Sequence, residues 1–162
     1  MKDVPRDQHV ITASARQLEL LDHLQARSVG ARAWFDEMVE KADPEFRFVA
    51  VRFHGLHVEQ VQRLTALIIA VGGEADPTET MSAAMKRAGL SVRSVFGGID
   101  GDMMDRIRAS EAKVLAGFTE VIKAMEPSRY RDELVQMQGE LQDLLQGVQS
   151  EERSLPEAPK ED

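Results

Sequence analysis

The chain has 162 residues, a length that suits one domain. It carries 28 acidic against 20 basic side chains, and the net charge of −8 argues against nucleic acid and anionic membranes as partners. There is no cysteine, so disulfides, thiolate metal sites and cysteine nucleophiles are excluded.

Residues 1–11 are charged, with no apolar run behind them, and are expected to be a flexible N-terminus without a secretory signal. The longest apolar run, Ala66 to Val71, is too short to span a bilayer, so a cytoplasmic protein is expected. Low aromatic content, eight methionines and no alternating runs point to an all-α fold over residues 12–149.

The first helix is expected from an N-cap at Thr12 or Ser14 to Ala42. Leu21, Leu24, Ser28, Ala31, Phe35, Met38 and Ala42 share one face. Asp43-Pro44 ends it, because the residue before proline avoids the α region; Asp43 is expected to cap the next helix with Pro44 in first position. That second helix runs from Glu45 to Val71, with His54 and His57 on one stripe and Gln60 on the adjacent one, and Gly72-Gly73 stops it. The link from Gly73 to Gly101 carries a short helix from Thr80 or Ser82 to Phe96.

The third helix is expected from Asp102 to Met125. Its apolar stripe reads Met104, Ile107, Glu111, Val114, Phe118, Val121, Met125, with a carboxylate in the middle. A carboxylate on a core face costs several kcal/mol unless it is paired or bound. The fourth helix starts at Ser128 and carries Tyr130, Leu134, Met137, Leu141, Leu144 and Val148 on one face. Residues 150–162 are acidic, contain two prolines and lack periodicity, and are expected to be a disordered tail. Two tight hairpins joined by one long crossover form the ferritin-like four-helix arrangement.

Asp43-Pro44-Glu45-Phe46 at the first turn, Val71-Gly72-Gly73-Glu74 after the second helix, Ser91 to Asp100 in the crossover, and Glu111 within Arg108 to Ala112 together resemble the ferritin-like superfamily. The chain is most similar to a small bacterial branch whose domain has no assigned function, over roughly Leu18 to Leu145. The resemblance implies a metal site built from a Glu on each of two helices and Glu-x-x-His on each of the other two. Iron or manganese would suit such a carboxylate-rich shell.

Layer counting tests that implication. His57 and Glu111 lie at similar depths, within roughly one turn at ~1.5 Å per residue. Reflected through the Asp43-Pro44 turn, His57 falls opposite Gly30 and Ala31, where no carboxylate stands. The fourth helix offers Gln142 and Asp143 at the level of Glu111, and no histidine. The candidate metal ligands are therefore Glu111, His57, His54 and Asp143, a depleted set; the alternative is that Glu111 is a core carboxylate paired with His57, Gln60 or an arginine, and that the histidines are hydrogen-bonded core or boundary residues. The paired glycines sit in no strand-loop-helix context, so no phosphate loop is expected, and no nucleophile elbow is present.

Two functions compete. In the first, a non-catalytic bundle has largely lost its di-metal site, needs no cofactor, and acts by association as a dimer or with a protein partner. Trp34 and Phe35 are adjacent, about 100° apart on a helix, and are not expected to face one core; Phe46, Phe48 and Phe53 spread similarly over the second helix, so one aromatic of this hairpin is expected to face outward and favour an interface. In the second, the chain binds iron or manganese for metal oxidation, storage or oxidative-stress defence. Replacing Glu111 by leucine is expected to stabilise a metal-free bundle and destabilise a metal-dependent one. A weaker third idea is a regulatory contact through the acidic tail.

Overall fold

Ser14 opens the first helix with a reciprocal cap. Its Oγ accepts from the Gln17 amide at 3.2 Å, and the Gln17 side chain accepts from the Ser14 amide at 2.8 Å. The structure is a computed structural model that describes residues 11–75 and 103–154. Within them lie four helices: α1 (Ala15–Lys41), α2 (Pro44–Ala70), α3 (Met103–Ala124) and α4 (Arg129–Ser154). No strand occurs among the described residues, so the all-α expectation holds there. The short crossover helix, residues 1–10 and residues 155–162 lie outside the described residues.

The turn between α1 and α2 differs in one detail from expectation. Pro44 does occupy the first turn of α2, but the Asp43 side chain makes no capping hydrogen bond. Arg47 closes the turn instead, donating to the carbonyls of Val39 (3.0 Å) and Ala42 (3.2 Å). These are carbonyls at the end of α1 that the helix itself leaves open. At the other end of α2, Gly72 takes φ +93°. Its amide donates to Ile69 O and that of Gly73 to Ile68 O, the paired bonds of a Schellman stop. The Ala13 amide donates to Val71 O at 2.9 Å and ties the entry of α1 to this stop. Ser128 caps α4 by accepting from the Arg131 amide at 3.2 Å.

Cross-helix bonds fix the directions. Gln25 meets Thr65 at 2.7 Å and Asp36 meets His54 at 3.6 Å, so α1 and α2 are antiparallel. Gln17 donates to Ala124 O and Arg27 to Lys113 O, so α1 and α3 are antiparallel too. Gln138 reaches Leu115 O and Arg131 reaches Ile122 O, which runs α4 against α3. Thus α2 and α3 point the same way. Helix α1 packs against both of them, and α4 lies between α3 and α2 on the far side. Leu24 and Arg27 approach Gly117 so closely that an added Cβ would sit 3.2 Å from each side chain.

One hydrophobic core draws on all four helices. Phe35, Phe53 and Phe118 are its largest fully buried members, and Phe35 stacks on Phe53 with centroids 4.9 Å apart. Trp34 and Phe35 are both buried, which corrects the expectation that the two do not face one core. Helix α1 is covered by α2 on one side and α3 on the other, so its buried arc exceeds the 100° between neighbours. The outward aromatic is Phe48 on α2, 66 % exposed. The expected tail also begins too early: α4 continues through Ser154, and Glu151 pairs there with Arg52 at 3.0 Å.

Candidate functional site

The heptad stripe of α3 turns Glu111 into the core between Ile107 and Val114, and the residue is wholly buried. Across the core, α2 presents His57 and, one turn later on the same face, Gln60; both are also wholly buried. His57 Nε2 lies 3.1 and 3.0 Å from the two carboxylate oxygens of Glu111. A carboxylate only accepts, so Nε2–H is the donor and is shared between both oxygens. The Phe35 ring stacks on the imidazole, with centroids 5.7 Å apart and planes 13° apart. An aromatic lid and an apolar shell keep water from the pair, which strengthens it and makes it costly to break.

Layer counting is correct about depth between α2 and α3 and wrong between α1 and α2. His57 stacks on Phe35, about one turn from the expected Gly30 and Ala31. Gln25–Thr65 and Asp36–His54 show the same displaced register. The physical reason is the turn: Ala42 and Asp43 are both extended, with ψ 153° and 154°, and they offset the two helices along their axes.

Other polar atoms lie in the buried interior. Gln60 donates from Nε2 to Met137 O on α4 at 2.8 Å. His57 Nδ1, Gln60 Oε1 and Ser28 Oγ are buried without a hydrogen-bond partner.

The four expected ligands do not converge. Glu111 and His57 meet. His54 lies one turn from His57 but turns outward, 3.6 Å from Asp36 of α1. The guanidinium of Arg32 belongs to the same cluster; burial holds it below its ordinary value, and Asp36 offsets part of that. Asp143 is exposed on α4, while its neighbour two positions back, Leu141, fills the core. Among the described residues, no three His, Cys, Asp or Glu side chains gather as a metal would require. The donor set therefore does not fit a dinuclear centre of four carboxylates and two histidines. Sequence reading also missed Arg63 of α2, which reaches Glu140 (2.8 Å) and Glu133 (3.6 Å) of α4 and Glu59 on its own helix (3.7 Å). The signal was present only as scattered acidic positions on α4.

Comparison with known families places the chain. A model described as a domain of unknown function (DUF2383) matches residues 16–124. The chain belongs to that family. The DUF2383 match covers α1, α2 and α3, and so includes His54, His57 and Glu111, while Asp143 falls beyond it. No curated protein and no solved structure matches the chain. No helix among the described residues is long and apolar enough to cross a membrane.

Proposed function

We propose that this DUF2383 chain is a ferritin-like helical scaffold that works by association, with a second copy or another protein, and not by chemistry at its centre. The parallel course of α2 and α3 supports the ferritin-like reading, since it is what two hairpins and a long crossover produce. One observation carries the functional reading. The buried carboxylate that would anchor a metal is closed onto His57, with both of its oxygens turned to the one Nε2–H. Metal analysis of protein purified without chelator, then soaked with iron(II) or manganese(II), tests this. Negligible content before and after soaking agrees with the reading; a stoichiometric ion overturns it.

A second reading has one specific support. His57 Nδ1 and Gln60 Oε1 are two buried lone-pair donors on one face of α2 that nothing occupies in hydrogen bonding. A rotation of Glu111 away from Nε2 would add a third donor and allow a single iron or manganese ion. The same soaking experiment decides between the two, because a mononuclear site shows one equivalent and is lost in Glu111→Gln.

A further inference from the structure

Two of the exposed large hydrophobics, Phe48 (66 %) and Val51 (51 %), lie on one turn of α2. Beside them opens an apolar groove of about 450 Å³ walled by Phe46, Phe48, Val49, Met104 and Val148. It sits where the start of α2, the start of α3 and the last turns of α4 come together. Phe48 is thus both a wall of the hollow and a knob beside it. Its ring faces the Arg52 guanidinium, whose carbon lies 5.8 Å from the ring centroid. Arg52 is itself fixed by both carboxylate oxygens of Glu151, at 3.1 and 3.0 Å. An aromatic ring has few rotatable bonds and so loses little freedom when it is buried.

We infer that this end of α2 is the interface through which two copies of this chain pair, Phe48 of each entering the groove of the other. The inference rests on the association reading and names its partner. A knob and a hole side by side on one surface complement a second copy about a two-fold axis, so that one contact is made twice. The charges around the groove are arranged the same way. Glu45 stands exposed on its rim and Arg47, exposed and bonded to backbone carbonyls, lies two positions on, while Arg52 and Glu151 neutralise each other within the chain. A two-fold axis can set Arg47 of one copy against Glu45 of the other, at a place where the excess negative charge of the chain is locally balanced. The other exposed large hydrophobics among the described residues, Ile69 and Val135, do not line this groove.

Sedimentation of the full chain across a wide concentration range tests this. The wild type is expected to be a dimer, and Phe48→Asp to weaken pairing by about thirtyfold or more, the effect of losing a central aromatic anchor. Ile69→Asp is expected to stay dimeric. Far-UV circular dichroism of Phe48→Asp should match the wild type, because the side chain is exposed. The chain has no cysteine, so Val51→Cys introduces a single thiol. A short bismaleimide should link two Val51→Cys chains, and should fail once Phe48→Asp is added. A wild type that stays monomeric, or a dimer that survives Phe48→Asp or dissociates with Ile69→Asp, overturns this interface. A monomeric wild type also removes the second copy from the wider association reading and leaves it only another protein as partner; the variant results touch this interface alone, and stoichiometric metal overturns the wider reading alone.

Discussion

His57 Nε2 and the Glu111 carboxylate, on parallel helices, hold each other at 3.0 and 3.1 Å with neither side chain exposed to solvent. Removing one partner strands the other. Glu111→Leu is therefore expected to destabilise the metal-free protein by about 3 kcal/mol or more, which reverses the stabilisation expected from the sequence. The sequence offered His57, Gln60 or an arginine as the partner of this carboxylate; in the structure the partner is His57. The double replacement His57→Leu with Glu111→Leu should recover most of the loss or exceed wild-type stability. Urea unfolding of the two single variants and the double variant gives the coupling directly.

Gln60 is a different case. Its amide nitrogen reaches Met137 O, but its oxygen is buried without a partner. Gln60→Leu removes that orphan and leaves the Met137 carbonyl within the helical ladder of α4. The expected result is a stability within about 1 kcal/mol of wild type, on the stabilising side. A melting temperature several degrees lower would show that the polar layer needs this amide.

At Gly72, φ is +93°, a region that side chains with a Cβ avoid. Gly72→Ala should cost about 1 kcal/mol through backbone conformation alone. The nearest atom to an added Cβ is Thr12 Cγ2 at 3.5 Å, which is ordinary contact, so no clash adds to the cost. Thermal unfolding checks the size.

Arg63 gathers three carboxylates between α2 and α4 and is mostly buried, at 22 % side-chain exposure. Its partners are more exposed, so the network is screened. Arg63→Ala should cost up to about 1 kcal/mol in low salt and less as ionic strength rises. A salt-independent loss would mean that the aliphatic stem, not the charge, is what matters.

The fold was legible where local chemistry sets it. Ser14, Pro44 and Gly72-Gly73 mark helix ends whatever lies elsewhere, because caps and stops satisfy nearby backbone groups. The α3 stripe marked Glu111 as core because burial follows helical period. What depends on neighbours was not legible. The axial offset made by Ala42 and Asp43 moved His57 to Phe35, and no counting of residues through a turn can supply ψ angles. The joint burial of Trp34 and Phe35 needed the knowledge that α1 is flanked on two sides. The last turns of α4 read as acidic and aperiodic, yet Glu151 finds Arg52 ninety-nine positions away.

The directly observed cross-links between α2 and α4 are polar: Arg52 to Glu151, Arg63 to Glu140, and Gln60 to Met137 O. Helix α4 also sends Leu134, Met137, Leu141 and Val148 into the core, but it packs against α2 far less extensively than α1 does. The molecule thus has a firm spine and one seam that water and ions can loosen. Slow breathing along that seam would swing α4 outward first and uncover the imidazole–carboxylate bond from the side of Gln60. Amide protons of α4 should accordingly trade with deuterium ahead of those in the middle of α1.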